Sequence, residues 1–149
     1  MDEKLQTTKT GNRKDDPYGA FNYIVEIDGI ISGGFSEVSG MRIETETYNI
    51  IEGGMNYFVH KLPKSTKFSE ISLKRGIIDW ELYDWYLDVI YGNIKRKNGS
   101  IILQNIGTNE KITWYFFDAF PIKWEGSTFS AATSSIATET IVLAHHGLY

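Results

Sequence analysis

The chain of 149 residues contains no cysteine. Disulfides, thiolate metal centres and cysteine nucleophiles are therefore excluded. Proline occurs three times, so the chain has no proline-rich linker. No apolar run approaches the roughly 18 residues that a membrane-spanning helix needs, and no stable membrane insertion is expected of the monomer. The first segment, MDEKLQTTKTGNRKDD, has no apolar core, which points to cytoplasmic synthesis without a signal peptide. Charged residues are 23% and hydrophobic ones 42%, a balance that excludes wholesale disorder. The net charge of −4 argues against general nucleic-acid binding.

Aromatic residues are abundant: four Trp, nine Tyr and eight Phe. Charge is unevenly placed. Residues 18–59 sum to −5 and residues 60–97 to +3. Such asymmetry lets an acidic face of one copy meet a basic face of another.

Residues 1–17 are polar, aperiodic and end at Asp15-Asp16-Pro17, which reads as a flexible arm. Residues 18–149 read as one domain. Phe21–Ile27 (FNYIVEI) is strand-like, Asp28-Gly29 is a two-residue hairpin signal, and Ile30–Val38 is the partner strand. Gly33-Gly34 within it suggests a bulge. Met41–Ile50 alternates Arg42, Glu44 and Glu46 against Ile43, Thr45 and Thr47. Ile51–Lys67 reads as an excursion of about 15 residues, a length that usually carries function when it is ordered. Phe68–Arg75 is a further strand.

One segment is helical, residues 79–91. Asp79 suits the N-cap, Trp80, Tyr83, Leu87 and Ile90 recur at helical spacing, and Gly92 suits the C′ position. Lys95-Arg96-Lys97-Asn98-Gly99 reads as a basic turn, with Asn98-Gly99 at its tip. Ser100–Ile106 and Lys111–Trp124 are strands, the second bent at Pro121. Ser127–Ser135 is small and polar, and Ile136–His146 is the last strand. Six to eight strands and one helix define a mainly β (α+β) domain. Two packed antiparallel sheets form a small barrel or sandwich with a flanking helix. Strands Ser100–Ile106 and Lys111–Phe120 are apolar on both faces. A half-buried antiparallel strand should be polar on one side, so a neighbouring subunit is expected to cover what the helix does not.

Catalytic signatures are missing. There is no P-loop and no dinucleotide fingerprint, and Gly34-Phe35-Ser36-Glu37-Val38 lacks the final glycine of a nucleophile elbow. His145 and His146 are neighbours in a strand and point to opposite faces, so they cannot chelate one ion together. Glu44 and Glu46 share a face, as glycosidase carboxylates must, but a solvated acidic strand face accounts for them. No cofactor or metal is expected.

Six motifs together resemble one family. Phe35–Gly40 (FSEVSG) resembles the F-x-E-V-S-G signature of tail tube proteins from contractile phages and phage-tail-like injection systems. Glu52-Gly53-Gly54 and Lys61-Leu62-Pro63 resemble that family's E-G-G and K-L-P loop. Leu73-Lys74-Arg75-Gly76 resembles a strand end, and Leu82-Tyr83-Asp84-Trp85 the helix. Trp114–Trp124 resembles W-x-F-x-x-A-[FW]-P-x-K-W, and Ala137–His145 resembles A-x-E-T-x-x-L-A-H. The match runs from about Asp16 to Leu148.

The resemblance implies hexameric rings that stack into a hollow tube, surrounded by a contractile sheath and founded on a baseplate and tube initiator. Effector cargo or DNA would occupy the lumen, and the protein would end in a virion or injection particle. The loop holding Glu52, Gly53, Gly54, Asn56, Lys61, Leu62 and Pro63 would contact the next ring. The Arg42, Glu44 and Glu46 face would line the lumen. Ile101, Leu103, Trp114 and Phe116 would lie on subunit-interface strands. The alternatives are a tube initiator or single-ring relative, including the ring protein of type VI secretion, and a monomeric ligand-binding β-barrel.

Overall fold

A computed structural model of the chain describes residues 21–28, 30–54, 57–76, 80–126 and 137–149, and of residues 31 and 32 the backbone alone. The expected arm, the Asp79 cap, Asn56 and the Ser127–Ser135 segment lie outside them. The described residues form ten strands and one helix. In order these are β1 (Phe21–Ile27), β2 (Ile30–Phe35), β3 (Glu37–Ser39), β4 (Ile43–Ile50), β5 (His60–Phe68), β6 (Ile71–Arg75), α1 (Trp80–Ile90), β7 (Lys97–Asn105), β8 (Lys111–Gly126), β9 (Glu139–Ala144) and β10 (Gly147–Leu148).

Strand β8 organises the fold. Its first half pairs with β7, from Gln104 opposite Lys111 to Lys97 opposite Ala119. Its second half pairs with β9, from Phe120 opposite Ala144 to Gly126 opposite Glu139. The ladder slips between Pro121 and Lys123, where proline cannot donate, and the expected bend falls there. The strand therefore belongs to two antiparallel sheets: β2-β1-β7-β8 with β10, and β8-β9-β6-β3. β2 and β3 adjoin at Ser36, whose N–H donates to the Lys74 carbonyl at 2.9 Å. The two sheets pack as a sandwich, and no strand ladder among the described residues closes them into a barrel. β4 and β5 pair only with each other.

Alternation sends Val25, Ile27, Ile101, Phe116, Ile71, Leu73, Ile141 and Leu143 into one core, all of them buried. Helix α1 packs on β8 and buries Leu82 and Trp85. Full burial of such a side chain stabilises by about 1.5–3 kcal/mol. The helix ends as expected. Gly92 adopts φ 83°, its N–H bonds to the Val89 carbonyl, and the Asn93 N–H reaches the Asp88 carbonyl at 2.8 Å, the Schellman pattern.

Ile27 lies opposite Ile30, which leaves a two-residue connection at the expected hairpin. The register shift between Ile24 and Val25 makes Gly33 the extra residue of a bulge.

Two local expectations fail. Asn98-Gly99 is not a turn: both residues lie inside β7. Gly99 is required because a Cβ there would stand 2.3 Å from the Phe116 ring and 2.5 Å from the Glu26 carbonyl oxygen. Asn98 accepts from the Asp118 N–H through its Oδ1 at 3.0 Å. This replaces the ladder bond that β8 gives up where Asp118 takes φ 52°. Ile51–Lys67 is not one long loop either. Its second half is β5, whose run HKLPKSTKF lacks apolar alternation because neither of its faces is buried. Pro63 is tolerated because β5 has a free edge.

One buried polar contact joins the elements. Arg75 Nε donates to Glu139 Oε1 at 2.5 Å, and Trp124 Nε1 donates to Glu139 Oε2 at 3.2 Å. The guanidinium stands 5.3 Å from the Phe35 ring centroid, and Tyr83 of the helix meets Trp124 edge-on. Both charged side chains are under 10% exposed. Glu139→Gln removes the carboxylate from this buried ion pair, and a loss of about 3–5 kcal/mol is expected in denaturant unfolding. A loss near 1 kcal/mol, typical of about the strongest exposed pairs, would contradict this.

Candidate self-association surfaces

The β4–β5 hairpin is the least covered part of the described chain. Every residue of it except Glu46 and Phe68 is exposed. Tyr48 lies opposite Leu62, and Ile50 opposite His60, on one face. Ile51, Tyr57, Phe58 and Val59 add exposed apolar surface between the strands, with Tyr57 94% exposed. A two-stranded hairpin is marginal on its own in water, and contiguous apolar surface of this kind marks interaction sites.

The hairpin's charges are largely settled internally. Arg42 donates to Glu44 at 2.8 Å, Glu46 binds Lys67, and His60 stands 3.8 Å from Glu52. Among the described residues Lys61 and Lys64 make no ion pair. Lys67 holds the Glu46 carboxyl below its ordinary 4.5, by hydrogen bond first and charge second. The same contact raises Lys67 above 10.5.

The lumen-assigned residues divide accordingly: Glu44 and Glu46 share one face of β4, and Arg42 precedes the strand but reaches back to Glu44. Of the inter-ring set, Glu52, Gly53 and Gly54 occupy the turn after β4, Gly54 at φ 105°. Lys61, Leu62 and Pro63 sit in β5.

The β2-β1-β7-β8 sheet offers the second surface. Ile101 and Phe116 are 0% exposed, so these two are consumed by the subunit's own core. Leu103 and Trp114 are half-buried, and Trp114 packs against that core. The opposite face of β8 presents Tyr115 and Phe117, 54% and 40% exposed. An open groove of about 530 Å³ lies there, lined by Glu26, Asp28, Asn98, Ser100, Tyr115 and Phe117 among others. The sequence displays this face as the second apolar set of β8. The core-facing set hid it, because alternation alone cannot say which face a neighbour covers.

The remaining polar groups brace the fold. His145 directs Nε2 at the Ser69 carbonyl, 2.7 Å away, and Nδ1 at the Gly147 carbonyl. It thereby ties the base of the hairpin to β10. His146 faces Asp118 and Arg96. Lys95 pairs with Asp88, Arg96 lies over Phe120, and Lys97 donates to the Asp28 carbonyl. The basic run is thus a strap across the start of β7 and not a free tip.

Among the described residues no helix is long and apolar enough to cross a membrane. A β-sandwich with an uncovered hairpin and an aromatic outer strand face is built as an interacting structural subunit. Residues 19–149 match the family model described as T4-like virus tail tube protein gp19. The chain belongs to that family of tail tube proteins.

Solved structures agree. A chain from the PVC extracellular contractile injection system, in its sheath–tube complex in the extended state, is 26% identical with a TM-score of 0.78. The match covers 96% of this chain and 97% of that one. A chain of the PVC sheath/tube terminator is also 26% identical, with a TM-score of 0.71 and coverage of 90% and 94%. Hcp1 from Flavobacterium johnsoniae shares the fold at 16% identity and a TM-score of 0.52, over 86% of this chain and 98% of that one. No curated protein sequence matches. The protein is a structural tube protein of the contractile-injection kind.

The Glu46–Lys67 pair gives a local test. Glu46 has a lowered folded value, so its stabilisation is present above 4.5 and lost as pH falls through that folded value. Lys67 has a raised value, so its share is lost only as pH rises past its folded value, above 10.5. A carboxyl NMR titration should place Glu46 below 4.5, and Lys67→Met should move it upward. An unmoved midpoint would show that Lys67 is not the cause.

Proposed function

We propose that copies of this chain form hexameric rings that stack head to tail into a hollow tube. A contracting sheath drives this tube through a target envelope with cargo in its lumen. The chain is made in the cytoplasm and joins a phage tail or phage-tail-like particle through a baseplate and tube initiator. The observation that carries the reading is the β4–β5 hairpin, which its own subunit leaves uncovered although it displays apolar side chains. Family membership supplies the context in which that hairpin meets copies of itself.

The mechanism is association without bond chemistry. Specific, stable interfaces bury about 1,200–2,000 Å² in total, and each subunit needs at least two of them, one within a ring and one between rings. The ring contact is heterologous and closes, whereas the stacking contact is heterologous and stays open, so a filament grows. The turn at Glu52–Gly54 and the Lys61–Pro63 stretch reach the next ring. The Arg42, Glu44 and Glu46 face lines the lumen, where paired charges keep it hydrated and non-adhesive.

Negative-stain electron microscopy across a concentration series tests the assembly. Six-fold rings or hollow tubes are expected, and a monomer at every concentration, even with baseplate components added, would overturn it. Replacing Gly53 and Gly54 by valine should leave a folded subunit that forms rings but not tubes. Normal tube lengths would exclude this turn from stacking. Glu44→Lys with Glu46→Lys should impair cargo loading without blocking tube growth, and unimpaired loading and ejection would remove the lumen assignment.

A further inference from the structure

We infer that the groove lined by Glu26, Asp28, Tyr115 and Phe117 receives the β4–β5 hairpin of a second copy of this chain. The inference rests on the assembly reading above and names the surface that the hairpin meets.

Charge complementarity selects the pair. On the hairpin Glu44 pairs with Arg42 and Glu46 with Lys67, and Glu52 stands beside His60, which offsets its charge only when protonated. Lys61 and Lys64 are the surplus, and among the described residues neither is ion-paired. The groove has the opposite surplus. Glu26 and Asp28 are exposed, and among the described residues neither carboxylate makes an ion pair; Lys97 takes the Asp28 backbone carbonyl instead. Other acids compete poorly. Glu37 and Glu125 stand near Lys74 and Lys123, and Glu70, Asp84 and Glu110 do not line the groove.

Shape and polarity agree with charge. The groove is concave, about 530 Å³, and its wall carries the exposed rings of Tyr115 and Phe117. These offer apolar cover for Tyr48 and Leu62, which lie side by side on one hairpin face. The contact is also heterologous. A copy whose hairpin is seated in its neighbour still offers a free groove, so association continues instead of closing at a dimer.

The test uses the full chain in two arms. Lys61→Glu with Lys64→Glu, and separately Glu26→Lys with Asp28→Lys, should each raise the concentration for half-maximal assembly at least about tenfold. The chain carrying all four substitutions should return to within about threefold of the parent. Circular dichroism checks that each variant is folded. In the second arm the absence of cysteine is useful. A Leu62→Cys chain mixed with a Tyr115→Cys chain, oxidised with copper phenanthroline, should give the mixed disulfide in excess over either homodimer. This arm still reports if a charge variant fails to fold.

Indifference to both charge sets, failure of the four-fold variant to recover, or a dominant Leu62→Cys homodimer would each overturn the groove assignment. Rings or tubes seen alongside any of these would leave the assembly reading intact. A folded parent chain that never associates would remove both.

Discussion

A single strand has to serve two sheets, and the rest of the fold follows from how β8 meets that demand. Over 16 residues it gives one edge to β7, while β9 and β10 run in succession along the other. A straight strand could not belong to both layers of a sandwich. β8 turns between them by a left-handed residue at Asp118 and a bulge after Pro121. Each disruption costs a backbone hydrogen bond, and the structure supplies replacements. Asn98 caps the Asp118 N–H, and the Phe117 carbonyl takes the His146 N–H. With β8 bent, the two sheets close over one apolar core, and Arg75, Glu139 and Trp124 lock β6, β9 and β8 together from within.

What is left outside that closure decides the function. The core uses one face of each strand, and the helix covers only its own stretch of β8. The hairpin and the Tyr115–Phe117 face are therefore surplus apolar surface. In the proposed assembly their cost to a monomer in water is recovered by association. Strand ladders on both edges of β8 and close core packing leave the sandwich little internal slack.

Much of this was legible in the sequence because it is local. The FNYIVEI alternation and the Asp28-Gly29 signal fix β1 and its hairpin, helical spacing from Trp80 to Ile90 marks α1, and Gly92 marks its end. Gly33-Gly34 announces the bulge, and Pro121 the bend. What escaped is non-local. β5 has no apolar period, since it is a strand only through its backbone pairing with β4. Asn98-Gly99 has the composition of a turn, but Gly99 is glycine because Phe116 approaches from β8, 17 residues along the chain. Arg75 and Glu139 stand 64 residues apart, so nothing nearby marks them as partners. The same limit applies to the candidate surfaces. Two-sided apolar strands reveal that a neighbour is needed. Ile101 and Phe116 nonetheless proved to be core, and the outward face belongs to Tyr115 and Phe117.

The central claim is that the β4–β5 hairpin is completed by another copy of the chain. Hydrogen–deuterium exchange of the β4 and β5 amides, compared between monomer and assembled particle, reads this directly. The account predicts fast exchange along both strands in the monomer and strong protection on assembly, while the β7–β8 ladder stays protected throughout. Hairpin amides that exchange equally fast in both states would contradict it.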